Sequence, residues 1–198
     1  MKRFISILIS LILCTTALFS QTYDDEDEYD DGYVYEQNGA GDRFIKFDFG
    51  ADFPLNFNKQ LYVGAAASVG FYYFISNNIA VGGDVILGYN LSIGQKPLIS
   101  IPFTFGTMFQ PYIGKLEFPI VLNFGLASIS REQEIYFPAL AVKSTAGAFY
   151  RFSETWSAGI SANGFWIPQF FLLDKDTRGH KFDQGLFATV GLSVRYHF

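Results

Sequence analysis

Eight segments of this chain alternate apolar residues with small or polar residues at a period of two. In the first segment, Phe47, Phe49 and Phe53 are on one face, while Lys46 and Asp48 are on the other. This is the period of a β-strand, because successive side chains of a strand point to opposite faces. The other seven segments begin near Leu61, Ile79, Ile99, Phe118, Leu140, Trp156 and Leu186. The pattern predicts an all-β chain with eight strands.

Most of these segments contain about 11 or more residues. A tilted strand needs about 9 to 11 residues to cross a bilayer, so the segments are long enough to do so. Their apolar faces have two explanations: they form the core of a soluble β-sandwich, or they face lipid around a membrane barrel. The composition of the opposite faces decides between the two.

The opposite faces consist largely of Gly, Ala, Ser, Thr and Asn, with few Lys or Glu residues. Small residues fit the crowded interior of a narrow barrel. Nine charged residues lie in or beside the predicted strands, and all nine are on this face: Lys46, Asp48, Asp52, Asp84, Glu117, Lys143, Arg151, Asp183 and Arg195. The apolar face carries no charge there, as a surface in contact with hydrocarbon requires.

The links between the strands also favour a barrel. The second, fourth and sixth links are Ser76–Asn78, Gln110–Lys115 and Ser153–Thr155, and the longest of the remaining links is Asp174–Lys181. In an even-stranded outer-membrane barrel, the short turns lie on the periplasmic side together with both termini. We therefore predict an eight-stranded antiparallel transmembrane up-and-down β-barrel over residues 43–198.

Two segments precede the predicted barrel. Residues 1–20 have the features of a signal peptide, because a positively charged start precedes the apolar run Phe4–Leu13. Residues 21–42 include seven carboxylates within Asp24–Asp31, and their repulsion predicts a disordered acidic segment. This segment is either a solvated spacer, which we favour, or a tail that binds divalent cations or a partner.

Charge and rare residues exclude several functions. The formal net charge is −5, but nine of the 19 acidic residues precede Arg43, and no large basic field is present. We therefore expect no nucleic-acid partner. Cys14, the only cysteine, lies in the predicted signal peptide, and His180 and His197 are predicted at opposite ends of the barrel. Neither a metal site nor a cofactor is expected from these residues, and no enzyme motif accompanies the histidines.

The chain finishes with VGLSVRYHF, in which every second residue is apolar and the last residue is Phe198. This ending resembles the terminal strand of bacterial outer-membrane proteins, whose final aromatic residue is recognised by the barrel-assembly machinery. With the export signal and the eight alternating segments, the chain resembles the small eight-stranded barrels of the OmpW, OmpX and OmpA-transmembrane type. The resemblance implies a location in the bacterial outer membrane, with outer-membrane lipid and the assembly machinery as partners. It implies that Phe198 is an assembly signal, and we expect a monomer.

An eight-stranded barrel has an interior just wide enough for side chains or one small ligand. Eight charged residues are predicted to point into it, and their formal charges sum to zero: Lys46, Asp48, Asp52, Asp84, Glu117, Lys143, Arg151 and Arg195. They form either a hydrogen-bonded network of ion pairs that fills the lumen or the lining of a hydrated pathway. We favour the ion-pair network, because an unpaired charge in a dry lumen is very costly.

Two functions follow from this architecture. The first, which we favour from the sequence, is a narrow channel or transporter for small hydrophobic solutes, with Phe53, Trp166, Phe170 and Phe171 around the outer mouth; Phe53 and Trp166 also have the parity of lipid-facing residues. The second is a non-conducting structural or adhesion barrel that presents its outer loops. Pro138 is predicted to mark a bulge or, alternatively, a lateral gap between strands.

Overall fold

The computed structural model of the protein describes residues 36–56, 61–131, 134–168 and 184–198. The predicted signal peptide, the carboxylate-rich part of the acidic segment, and both Phe170 and Phe171 lie outside these residues. Within them, there is no helix with the length and apolar character needed to span a membrane.

Eight long strands and one short hairpin make up the described fold. Their bounds are β1 (Arg43–Pro54), β2 (Gly64–Phe74), β3 (Ile79–Leu91), β4 (Pro97–Phe109), β5 (Tyr112–Ile113), β6 (Leu116–Glu117), β7 (Ile120–Arg131), β8 (Glu134–Arg151), β9 (Trp156–Ile167) and β10 (Gly185–His197). The strands β5 and β6 form the short hairpin, in which β5 lies within the predicted link Gln110–Lys115 and β6 directly follows it.

The eight long strands close into an antiparallel barrel. Each pairs with the next along the chain, with β4 pairing directly with β7. The barrel is closed by β1 and β10, whose register runs from Phe44 opposite His197 to Pro54 opposite Phe187. Closure gives each long strand a paired neighbour on both sides, as strands in hydrocarbon require. The predicted eight-stranded antiparallel barrel is confirmed.

The two faces of the barrel wall are inverted relative to a water-soluble protein. Large apolar side chains point outward, so that Phe49 is 68% exposed and Leu192 is 71% exposed. Their neighbours of opposite parity point inward, and Lys46, Asn123 and other polar side chains are buried there. Soluble proteins bury their large apolar side chains and expose their charges, whereas a membrane barrel does the reverse.

Glycine allows the two closing strands to approach each other inside the barrel. Gly50 of β1 lies opposite Gly191 of β10. A Cβ atom at Gly50 would collide with the backbone of Val190 and Gly191, and one at Gly191 would collide with Phe49 and Gly50. The small residues on the inner face are therefore needed where strands of this narrow barrel come close.

A bulge interrupts the pairing of β7 with β8. The register shifts between Ala127 and Ile129, opposite the part of β8 that contains Pro138. Pairing continues beyond the shift as far as Arg131 opposite Glu134. The structure therefore shows a bulge at Pro138, and no lateral gap opens between β7 and β8 at this position.

Part of the segment predicted to be disordered is instead seated on the barrel. Residues 36–42 lie against the end of the barrel that carries the start of β1 and the end of β10, which we call the terminal end. The opposite end is called the loop end. The charge repulsion that predicts disorder is concentrated in Asp24–Asp31, and residues 36–42 are recruited by hydrogen bonds from the barrel that the sequence does not reveal.

The positions of the two tryptophans predict the depth of the barrel in a bilayer. Trp156 and Trp166 begin and nearly end β9, and both face outward, at 40% and 41% exposure. Ten residues at about 3.3 Å each, tilted by about 40°, span about 25 Å along the membrane normal, the height of the apolar band of such barrels. We expect both indoles at the interfaces, so lipids brominated near the headgroup should quench their fluorescence more than lipids brominated near the acyl-chain end.

The matched control carries a single tryptophan at mid-wall, Phe49→Trp in a Trp156→Phe and Trp166→Phe background. We expect the opposite order of quenching for this variant. Stronger quenching of both native tryptophans by the deep label would contradict this placement.

Candidate functional site

Four charged side chains meet in the middle of the lumen, and we call them the central cluster: Lys46, Asp48, Asp84 and Lys143. The Nζ of Lys46 lies 2.9 Å from Oδ2 of Asp48 and 3.4 Å from Oδ1 of Asp84. The Nζ of Lys143 donates to Oδ2 of Asp84 at 2.6 Å. Strands β1, β3 and β8 supply these residues, and the alternation of each strand directs the side chain inward.

Neutral groups complete the hydrogen bonding of Asp84. The hydroxyl of Tyr72 donates to Oδ2 of Asp84 at 2.7 Å, and Nδ2 of Asn123 donates to the same oxygen at 3.0 Å. Tyr72 and Asn123 are also hydrogen-bonded to each other, at 3.1 Å. Sequence reasoning did not select these two residues as site residues. The sequence signal for Tyr72 was its inward parity, which it shares with Phe74, whereas Phe71 and Tyr73 of the same strand face outward.

The other carboxylate of the central cluster is held by hydroxyls. Ser68 donates to Oδ2 of Asp48 at 2.6 Å, and Ser193 donates to its Oδ1. Each charge of the cluster thus has an opposite charge as partner, and the two lysines balance the two aspartates. Buried charges are tolerated when they are paired in this way and their remaining hydrogen-bonding capacity is satisfied.

Three further charged residues form a second group nearer the terminal end, the terminal cluster: Glu117, Arg151 and Arg195. Nη1 of Arg195 lies 3.3 Å from Oε2 of Glu117, and Nε of Arg151 lies 3.6 Å from its Oε1. Gln110 bridges the group, because its Oε1 accepts from Arg195 at 2.9 Å and its Nε2 donates to Glu117 at 3.2 Å. Two cations and one anion leave this cluster with a formal charge of +1.

Aromatic rings cover the guanidinium of Arg195. Its Cζ lies 3.5 Å from the ring centroid of Phe149 and 4.7 Å from that of Phe44. The ring faces carry negative partial charge and attract the cation. They also separate Arg195 from water, which makes the ion pair with Glu117 stronger than it would be at a surface.

Asp52 is the member of the predicted network that the structure does not bring to either cluster. It is buried farther toward the loop end, where Thr189 donates to its Oδ1 at 3.3 Å and Asn90 donates to its backbone carbonyl at 3.3 Å. No ion pair joins it to a cation among residues 36–56, 61–131, 134–168 and 184–198. Its inward parity was visible in the sequence, but its distance from the lysines follows from the strand register.

Apolar side chains fill the part of the lumen nearest the loop end. They form one buried cluster, with Ala66, Ala127, Ala139 and Ala141 between the larger residues Leu61, Ile86, Leu98, Ile129, Phe165, Ile167 and Phe187. Two small cavities remain in the lumen, one beside Asp48 and Lys143 and one beside Asp52 and Phe165, each of about 10 Å³. A cavity of this size holds at most one water molecule. Neither of these two cavities has space for a solute.

A serine and a histidine lie close together at the terminal end. Oγ of Ser157 is 2.9 Å from Nε2 of His197, a spacing found between a nucleophile and its base. Ser157 is 0% exposed, and Nδ1 of His197 has no hydrogen-bond partner in the described part of the chain. The pair therefore lacks both the orienting acceptor and the access to substrate that hydrolysis requires.

Two of the four aromatic residues predicted around an outer mouth, Phe53 and Trp166, are in the described part of the chain. Phe53 and Trp166 lie on the outward face of the wall, and Nε1 of Trp166 donates to Oε1 of Gln184 at 3.2 Å. Phe53 and Trp166 therefore lie on the lipid-facing surface, which is the alternative that their parity allowed. Phe198 is also outward, and its ring lies 5.9 Å from that of Tyr196 and 6.4 Å from that of Phe71.

The closed barrel with an apolar exterior defines the protein as a small eight-stranded barrel of the outer-membrane type. It is similar to neisserial surface protein A (NspA), with a TM-score of 0.64 and 9% identity over 80% of this chain and 99% of that chain. It is also similar to the outer membrane protein OprG from Pseudomonas aeruginosa, with a TM-score of 0.50 and 11% identity over 84% of this chain and 98% of that chain. At these identities the likeness concerns the fold.

Sequence comparison also places the chain in a protein family. A protein-family model matches residues 24–196, so the chain belongs to the family that this model represents. Two uncharacterized proteins of Treponema pallidum (strain Nichols) are similar in sequence. One is 23% identical over 170 residues, covering 81% of this chain and 56% of the relative; the other is 28% identical over 141 residues, covering 71% and 62%. The chain thus spans less than two thirds of the length of either relative.

Replacement of Lys143 tests whether the central cluster is structural. In Lys143→Met, Asp84 loses the closer of its two cations and keeps Lys46 at 3.4 Å. Loss of one partner from a buried ion pair costs about 3 to 5 kcal/mol. Because Tyr72 and Asn123 still solvate Asp84, we expect the free energy of unfolding to fall by about 3 kcal/mol, measured by urea titration of the refolded protein, with little change in conductance.

Glu154→Met is the control, since Glu154 is exposed in the turn between β8 and β9. We expect this control to change the free energy of unfolding by less than about 0.5 kcal/mol. A large change in conductance of Lys143→Met at unchanged stability would contradict the structural role and support a hydrated pathway.

Proposed function

We propose that this protein is a non-conducting barrel of the bacterial outer membrane that anchors and presents its outer loops. The observation that supports this proposal most strongly is the filled lumen. The terminal cluster occupies the part nearest the terminal end, and the central cluster occupies the middle. The apolar cluster occupies the part nearest the loop end. A solute pathway would require rearrangement of several tightly packed layers at once.

The pairing of the charges supports the same proposal. Lining groups of a water-filled channel are solvated by water and need no partners from the protein. Here, Lys46 and Lys143 are both nearly fully buried and are both within ion-pair distance of Asp84. Such pairs stabilise a closed interior, because separating them in a low dielectric is costly.

Transport of small hydrophobic solutes is the second candidate. It is favoured by the apolar character of the lumen near the loop end, where Ile86, Phe165 and Phe187 are buried together. A solute would have to displace these side chains, since the adjacent cavity is only about 10 Å³. We rank this candidate second for that reason.

The proposal includes a location and partners. Residues 1–20 would direct export, Phe198 would be recognised by the barrel-assembly machinery, and the outward face would contact outer-membrane lipid as a monomer. The apolar outer surface supports the lipid contact, since side chains such as Phe105 and Phe124 are more than half exposed.

Conductance of the refolded protein in a planar bilayer tests the proposal. Heat-dependent gel mobility first shows that the barrel has formed. We expect no discrete openings from the wild-type protein, because ion-paired and apolar side chains are packed together at successive levels of the lumen. Reproducible openings from a folded barrel would refute the non-conducting proposal.

A variant and a second assay help to interpret a conductance recording that shows no openings. Phe165→Ala combined with Phe187→Ala enlarges the lumen near the loop end and serves as the variant most prone to conduct. Uptake of a small hydrophobic dye into vesicles that contain the wild-type protein tests the second candidate, and uptake no faster than into protein-free vesicles would exclude it.

A further inference from the structure

The segment Glu36–Asp42, which we call the strap, crosses the terminal end of the barrel before β1 begins. Its central residue, Asn38, is 1% exposed, although the residues on either side of it are largely accessible. A polar side chain at this burial requires partners for its amide. The barrel provides them.

Arg151 and Tyr112 bind the amide of Asn38 from two sides. Nη2 of Arg151 donates to Oδ1 of Asn38 at 2.8 Å, and Nδ2 of Asn38 donates to the hydroxyl of Tyr112 at 3.0 Å. Nη1 of Arg151 also donates to the backbone carbonyl of Glu36 at 3.0 Å. Arg151 thus binds the strap at two positions, while its Nε lies 3.6 Å from Oε1 of Glu117.

The burial of Arg151 explains why these contacts matter. A buried guanidinium requires hydrogen-bond acceptors. The carbonyl of Glu36 and the amide oxygen of Asn38 are such acceptors, and hydrogen bonds from a charged donor are stronger than those from a neutral one. The strap therefore supplies two hydrogen-bond acceptors to Arg151 inside the barrel.

The second half of the strap is continuous with the barrel wall. The amide of Gly41 donates to the carbonyl of Phe74 at 2.9 Å, and the amide of Phe74 donates to the carbonyl of Asp42 at 2.8 Å. Gly41 has a φ of +106°, a conformation that favours glycine, and Asp42 accepts from the amide of Gly39 at 2.7 Å. A local turn thereby directs the strap from the start of β1 back over the lumen.

The strap also forms one wall of a cavity of about 410 Å³ at the terminal end. Glu36, Gln37 and Asn38 line this cavity on one side, and Glu154 and His197 of the barrel line it on another. Asn38 is at the same time in contact with Arg151 of the terminal cluster. The strap therefore lies between a wide polar cavity and the charged interior.

We propose that the strap is an intramolecular plug, in which Asn38 is bound by Arg151 and Tyr112 and closes the terminal end of the lumen. The same contacts determine where the acidic segment joins the barrel. The plug operates whether or not the barrel conducts, so a failure of this proposal leaves the proposed function untouched.

Cleavage by a glutamate-specific protease tests the plug in the folded full chain. Such a protease cuts after Glu26 and Glu28, in the acidic segment, and after Glu36, whose carbonyl is held by Arg151. We expect cleavage after Glu36 to be at least about tenfold slower than cleavage after Glu28, when each rate is divided by the rate in heat-unfolded protein, because cutting requires transient release of the strap. Equal normalised rates would overturn the proposal.

Two variants test whether the contacts of Asn38 protect the bond after Glu36 from cleavage. Asn38→Ala removes the amide and should increase normalised cleavage after Glu36 by about tenfold or more, since it removes one hydrogen bond to a charged group and one to a neutral group. Its control is Gln37→Ala, which changes an exposed neighbour. Unchanged protection in Asn38→Ala would overturn the proposal.

Tyr112→Phe removes a contact from the barrel side and leaves the protease site unaltered. We expect a smaller increase in cleavage than in Asn38→Ala. Its control is Tyr150→Phe, at an outward-facing tyrosine on the same end of the barrel, for which no increase is expected. An equal effect of the two tyrosine variants would overturn the assignment to Tyr112. Heat-dependent gel mobility confirms folding of each variant before digestion.

Discussion

Closure of the sheet between β1 and β10 is the constraint on which the rest of this structure depends. In hydrocarbon, an unpaired backbone amide or carbonyl has no water to bind, so a spanning sheet must pair its last strand with its first. The register from Phe44 and His197 to Pro54 and Phe187 achieves this. Because eight strands close into a narrow ring, every inward side chain must then fit a small shared volume.

That narrow volume explains the composition of the interior. Where strands approach closely, only glycine fits, as at Gly50 and Gly191. Where charged side chains enter, they arrive from different strands and neutralise each other, as Lys46 and Lys143 do around Asp84. The terminal cluster combines Glu117 with two arginines, and the strap supplies two hydrogen-bond acceptors to Arg151.

The inward direction of each charged residue could be predicted from alternation alone, because a strand has only two faces. The pairs themselves could not be predicted in this way. Asp84 of β3 meets Lys143 of β8, for example, whereas Asp52 of β1 meets Thr189 of β10. Which residues become neighbours depends on the relative shift of strands that are distant in sequence, and a single sequence with a period of two carries little information on that shift.

By itself, the sequence determined the all-β class, the number of spanning strands, and the separation of a lipid-facing from an inward-facing surface. These properties follow from local chemistry: the period of two, the length of each segment, and the absence of charge from one face. Only the tertiary structure decided how inward side chains pack in the lumen and that the charges divide into two clusters. It also decided that Asn38, in the middle of the polar strap, is buried. Those properties arise from contacts between residues far apart in the chain, such as Asn38 with Arg151, whose energy exists only once the barrel has closed.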